Sequence, residues 1–153
     1  DYTEYEEGIY VGYRYFNTFA PKAVAYPFGF GLSYTDYEYS DLTLASEEIA
    51  ADGSLKVSVK VTNTGDMAGT EIVQLYLRDV FSQVTRPVKE LKDFARVELA
   101  AGESKVVEFT VTPDKLMFLD KKMKPIVEPG EFVVMVGSSS ADEDLLKASF
   151  WVK

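Results

Sequence analysis

The 153-residue sequence has no cysteine and no histidine. The first absence excludes disulfides, thiolate catalysis and iron–sulfur clusters. The two together exclude Cys/His zinc sites and any Ser-His-Asp triad. No apolar run approaches the length of a bilayer span, and no charged-then-apolar signal segment opens the chain. Basic charge is scarce: 16 Lys and Arg stand against 25 Asp and Glu, for a net charge of -9. Affinity for nucleic acid or an anionic membrane comes from cations that neutralise phosphates, so neither partner is expected. A cytoplasmic and a secreted location both remain open, since many secreted chains also lack disulfides.

What is present is the balance of a globular chain, 46% hydrophobic and 27% charged, with room for one domain and an extension. The aromatics divide it. Of 21 Phe, Tyr and Trp residues, 13 lie in the first 39 positions, including nine of the ten tyrosines. Residues 1–34 therefore read as an aromatic arm and residues 35–153 as a body.

Within the arm, Gly8 to Phe16 reads as a short extended run, with Ile9, Val11, Tyr13 and Tyr15 on one face and Tyr10, Arg14 and Phe16 on the other. A strand apolar on both sides expects cover on both sides. Tyr26-Pro27-Phe28-Gly29-Phe30-Gly31-Leu32-Ser33-Tyr34 follows. Pro27 fixes its own φ and restricts Tyr26, while Gly29 and Gly31 permit positive φ or close backbone approach. The peptide is rigid and too apolar to lie free in water, so it predicts a collar between the body and something outside this chain.

The body alternates. Asp36–Leu44, Leu55–Val61, Glu71–Arg78, Leu91–Leu99, Val107–Val111, Glu131–Gly137 and Leu146–Val152 read as strands, separated by turn signals such as Asn63-Thr64-Gly65-Asp66 and Glu128-Pro129-Gly130. Pro113 to Leu116 suits a single helical turn or a bend, and Asp79–Pro87 and Ser138–Asp144 read as polar loops. About seven strands without a helical period predict an all-β fold, an antiparallel β-sandwich. Asp1 reads as the start of a fragment, and the closing strand predicts a domain complete at its C-terminus.

Tyr5-Glu6-Glu7-Gly8-Ile9-Tyr10-Val11-Gly12-Tyr13-Arg14-Tyr15-Phe16 and the Tyr26–Thr35 segment resemble the fibronectin type III-like region of glycoside hydrolase family 3, which contains β-glucosidases and β-xylosidases. Ala68–Tyr76, Arg86–Phe94 and Pro129–Phe132 with Val136–Ser139 are similar to the same family. Asp93 departs from it, standing where the family usually has glycine. The resemblance implies an immunoglobulin/fibronectin type III-like sandwich that packs against a barrel domain with the nucleophilic Asp and an α/β domain with the acid/base Glu. Neither catalytic segment has a counterpart here. The chain is thus expected to be a non-catalytic accessory domain, partnered by catalytic domains of the same polypeptide and meeting carbohydrate only through the full enzyme. A homodimer through the arm is a further expectation, and a free-standing glycan- or protein-binding module the alternative.

Candidate sites follow from this. Tyr10, Tyr13, Arg14, Tyr15, Tyr26, Phe28, Phe30 and Tyr34 are assigned to interdomain packing, because aromatics dominate buried interfaces; sugar stacking is the competing role. Arg14 among them requires a carboxylate, a carbonyl or a ring face. The carboxylates at Glu4, Glu6 and Glu7 and at Asp142, Glu143 and Asp144 are expected on solvated surface. No catalytic residue, metal or cofactor is assigned.

Overall fold

The computed structural model describes residues 2, 4, 6 and 8–153. Two sheets pack face to face. The first has the order β1-β3-β6, built from Tyr37–Leu44 (β1), Leu55–Asn63 (β3) and Ser104–Val111 (β6). The second has the order β2-β10-β9-β4-β5, built from Glu48–Ile49 (β2), Leu145–Val152 (β10), Gly130–Gly137 (β9), Gly69–Asp79 (β4) and Glu90–Leu99 (β5). Every pairing within the two sheets is antiparallel except β2 with β10. The two-residue strands Phe118–Leu119 (β7) and Pro125–Ile126 (β8) form a separate hairpin. The seven long strands correspond to those read from the sequence.

Alternation writes the core directly. Val57, Val59 and Val61 of β3 face Val73, Leu75 and Leu77 of β4, with Phe132 and Phe150 stacked at a centroid distance of 5.6 Å. In β1 the larger side chains fall out of phase, at Tyr37 and Tyr39 and then at Leu42 and Leu44. All four pack on the core. A bulge between Ser40 and Thr43, with Asp41 at φ 54°, inserts the residue that restores the phase. A second bulge falls between Leu75 and Tyr76 opposite Asp93. Asp93 makes no turn there: it accepts from Lys115 Nζ and from the Phe94 N–H at 2.8 Å.

The arm corrects the sequence reading. Tyr13–Phe19 is an α-helix (α1), not a strand, followed by a 3₁₀ turn at Pro21–Ala23. Gly12, at φ 61°, ends the extended path, and Thr18 Oγ1 returns a hydrogen bond to the Arg14 carbonyl at 2.7 Å. A run that is apolar at nearly every position fits a strand and a helix equally, so its period carried no information. Pro113–Leu116 (α2) is a helical turn, one of the two conformations the sequence allowed there, with Leu116 buried.

Asn63, which the sequence marks only as a turn residue, is fully buried. Its carboxamide donates to the carbonyls of Met67 (2.7 Å) and Leu99 (3.2 Å) and accepts from Thr35 Oγ1 (2.6 Å) and the Gly65 N–H (3.1 Å). It ties the start of the body to two turns, and no apolar residue can replace those bonds. Asn63→Ala leaves several buried partners unpaired and is expected to cost about 3 kcal/mol, read as a lower urea midpoint at unchanged m-value.

Candidate functional site

Strand β4 is buried on both faces from Val73 to Leu77. Its inner residues meet the first sheet; its outer residues Gln74 and Tyr76 lie beneath the arm. Tyr76 packs with Met135, Leu145 and Tyr13 in a second apolar cluster. Tyr13 stacks on Phe28 with centroids 4.1 Å apart, and its hydroxyl accepts the Leu91 N–H at 2.9 Å. The Tyr76 hydroxyl donates to Gln74 Oε1, and Gln74 Nε2 donates to the carbonyls of Gly29 (3.0 Å) and Ser138. Burial pushes the Tyr76 phenol up, so it stays a neutral donor. Gly29 has φ 81°, and a side chain there would overlap the Gln74 carboxamide. Glycine is required at this point because the strap crosses the sheet at backbone contact.

The other assigned residues separate into two groups. Tyr10 meets Phe19 edge-on at 4.8 Å, and Arg14 reaches Glu90 at 3.5 Å. Arg14, with Tyr13 and Phe28, turns toward the sandwich, whereas Tyr10 packs only within the arm. Tyr26 stacks on Phe30 at 4.9 Å, yet Tyr26 is 69% exposed and Tyr34 93%, beside Leu32 at 92%. Tyr15, Phe28 and Phe30 are each more than 40% exposed. The apolar strip extends onto the sheet: Gln74 lies opposite Phe94, and Ile72, on the same face as Gln74, opposite Arg96; both Phe94 and Ile72 are exposed. The outer face of the first sheet carries Lys56, Ser58, Lys60 and Thr62 instead.

Polar chemistry beside the arm centres on Arg86, which the sequence left in a loop. It donates to Asp79 at 3.1 Å and Glu90 at 2.9 Å and lies 4.9 Å over the Phe118 ring. Burial would raise the Glu90 carboxyl, but Lys92 and Arg86 outweigh it and hold Glu90 below its ordinary value. Burial keeps Asp79 above its own, only partly offset by Arg86. These two carboxylates are the sides of an ion-pair clamp, not a free acid and base. The clamp floors a cleft of about 550 Å³ between Ile9, Pro87 and the β7–β8 hairpin. The loop that follows β4 is held by the clamp and by the Glu128 carboxylate, which accepts the Gln83 N–H at 3.1 Å. Phe81 within it is exposed.

Of the carboxylates expected on the surface, Glu4 and Glu6 are exposed and Glu7 lies outside the described residues. Asp142 accepts from Lys89 and Lys147, each at 2.9 Å, and Asp144 accepts from Ser139. The Ser138–Asp144 segment, read as polar loop, holds Ser139 and Ser140 almost fully buried. Lys89, only 5% exposed, donates to the Ser140 carbonyl at 2.8 Å. Nothing in the sequence marks Lys89 or Ser140 as interior. Among the described residues no cluster of acidic side chains could hold a metal.

Gly29→Ala is expected to lift the strap from the sheet, raising amide exchange over residues 26–34 while core strands keep their protection; the positive φ alone costs roughly 1 kcal/mol. Arg86→Met strips the largely buried Asp79 of its cation and takes one of three from Glu90, which keeps Lys92 and Arg14, and should destabilise by about 3 kcal/mol at neutral pH. Losing the cation raises the folded-state pKa of both carboxyls. The deficit is therefore complete above the variant's raised folded-state values and shrinks as pH falls through them and the carboxyls protonate. Urea unfolding of the variant at neutral and acidic pH checks the sign.

Comparison with known proteins agrees with this architecture. A fibronectin type III-like domain family matches residues 71–140. The chain is 48% identical over 140 residues to β-glucosidase BoGH3A of Bacteroides ovatus, covering 91% of this chain and 19% of that protein. It is 48% identical over 143 residues to thermostable β-glucosidase B of Acetivibrio thermocellus, covering 93% and 19%. The crystal structure of a Bifidobacterium adolescentis GH3 β-glucosidase superposes with a TM-score of 0.86 at 39% identity, over 95% of this chain and 21% of that one. The chain thus spans about a fifth of the relatives it matches. A two-sheet sandwich, an aromatic strap laid across it and matches confined to one segment of longer enzymes lead to one assignment: the chain belongs to the fibronectin type III-like domains of glycoside hydrolase family 3.

Proposed function

We propose that this chain is the non-catalytic accessory domain of a β-glucosidase-like enzyme, and that its aromatic face seats the catalytic domains of the same polypeptide. One observation carries the reading. Tyr26, Phe30, Leu32 and Tyr34 stand exposed on the strap, continuing onto Ile72 and Phe94 of the sheet. An apolar strip of this kind marks an interaction surface. Arm residues 1–34 then act as an interdomain linker, with Tyr13 and Phe28 gripping the sandwich 35–153 and Tyr26, Phe30 and Tyr34 facing the neighbour. Tyr10 and Tyr15 continue that face, and Arg14 orients it through Glu90.

The chemistry within the chain supports an accessory role. Retaining or inverting glycosidases need two carboxylates flanking an open sugar site, about 5–5.5 or 6.5–9.5 Å apart. Asp79 and Glu90 share one guanidinium, and Glu71 accepts a hydrogen bond from Tyr39 at 2.7 Å. Each is committed to structure. Hydrolysis of terminal β-linked sugars accordingly belongs to the catalytic domains of the full polypeptide.

The test compares this 153-residue chain with the native polypeptide that contains it. The isolated chain should show no turnover of an aryl β-glucoside, and the intact polypeptide should be active. Turnover by the repurified isolated chain would overturn the reading. Phe30→Asp or Tyr34→Asp in the intact polypeptide should loosen domain docking, seen as increased proteolysis at the arm. Concentration-dependent pairing of the isolated chain, abolished by the same substitutions, would indicate that the face also takes a second copy.

A further inference from the structure

The corner above the Arg86 clamp offers a second surface, one that the strap does not use. The cleft of about 550 Å³ there is walled by Ile9 of the arm, by Val84 and Pro87 of the loop after β4, and by Met117, Leu119 and Met123 on and before the β7–β8 hairpin. Its charged members Arg14, Arg86 and Glu90 are already paired with one another, so the walls are left to apolar contact. Leu119 and Met123 are nonetheless exposed. Met123 stands at φ 60°, a conformation that favours glycine or asparagine. The turn is fixed around it. The Met123 N–H donates to the Asp120 carbonyl at 2.9 Å, and one Asp120 carboxylate oxygen accepts the N–H groups of Lys122 at 2.8 Å and Lys124 at 2.9 Å. A residue held in a strained conformation, with an adaptable apolar side chain that its own domain leaves exposed, points to a binding rim.

Charge selects the occupant. Lys121, Lys122 and Lys124 share the turn with Met123; all three are exposed, and none forms an ion pair among the described residues. Asp120 is the one carboxylate of that turn, so the rim is locally positive in a chain whose net charge is -9. An apolar cleft behind a lysine rim fits a peptide segment that sets a bulky apolar side chain in the cleft and its carboxylates at the rim. The arm passes here, since Ile9 forms one wall, and the chain spans about a fifth of the relatives it matches. We infer, on the reading that the chain is one domain of a longer glycosidase, that this cleft seats an acidic segment of the catalytic part of the same polypeptide. The aromatic face reaches Ile72 near the start of β4, whereas the cleft lies by Asp79 at its end. Two separate seats fix the orientation of a neighbour that one seat would leave free to pivot.

The test is zero-length carbodiimide coupling of the intact polypeptide, which joins an ammonium only to a carboxylate in contact with it, followed by peptide mapping of the monomer. The expected product is an amide bond from Lys121, Lys122 or Lys124 to an Asp or Glu outside these 153 residues. Amide exchange over residues 117–126 should also be about tenfold slower in the intact polypeptide than in the isolated chain. Lys121→Glu combined with Lys122→Glu should return that exchange to the isolated-chain rate; both side chains are exposed, so the core strands keep their protection. No link from these lysines would overturn the inference. So would links to Glu4 or Glu6 of the arm, links found only in a covalent dimer, or equal exchange in the two forms. The strap separates this failure from failure of the accessory-domain reading. If residues 26–34 gain protection in the intact polypeptide and residues 117–126 do not, the domain docks without using the cleft. If neither gains protection, both readings fall.

Discussion

Strand β4 is buried on both faces, and a sheet strand in that position must have both its apolar side chains and its polar atoms met from two directions. The inward direction is met by the first sheet. The outward direction is met by residues that precede the sandwich in the chain. Tyr13, backed by the stacked ring of Phe28, covers Tyr76, and the Gly29 carbonyl completes Gln74. Gln74 is the pivotal group, since a buried carboxamide left half-bonded would cost more than an apolar residue in its place. Its partners come from the strap and from the Ser138 carbonyl, so the arm, the end of β9 and the centre of the sheet are fixed by one side chain.

That constraint explains why the arm is partly inward and partly outward. Once the strap crosses the sheet at Gly29, aromatic residues on one side of it are in contact with β4, and those on the other have no surface of this chain beneath them. The exposed set is the consequence of a strap that is two-sided by composition. The Arg86 clamp serves the neighbouring corner. It joins the end of β4, the start of β5 and the β7–β8 hairpin through Asp79, Glu90 and the Phe118 ring. Arg14 reaches the same Glu90, so the helix is fastened to that corner as well. Apolar packing and ion pairing thus hold the arm at two separate places, and neither anchor uses the residues that face outward.

The same division accounts for the interior polar residues. Lys89, just before β5, and Ser139 and Ser140, after β9, lie in two segments whose composition is that of exposed loops. They are buried because the arm passes over them, and the lysine is tolerable because Asp142 and a carbonyl meet its ammonium. The cost of enclosing polar groups is thereby largely offset.

The sequence alone determined the sandwich. Half-buried strands alternate with period two, and β3 displays that period throughout, β6 from Val107 and β10 from Leu146. It also located the aromatic strap and its two glycines, because their composition is incompatible with free solvent. It misread α1, since a segment apolar at nearly every position has no period to read. It was silent on Asn63, Lys89, Ser140 and Arg86, whose roles depend on partners distant in the sequence, such as Leu99 for Asn63 and Ser140 for Lys89, or on two carboxylates converging from different strands. Tertiary structure decided these, and decided which arm aromatics face inward, because burial of a polar or aromatic group is a property of what lies across from it. Local sequence encodes the preference of a residue for water or for contact; only the closed fold supplies the contact.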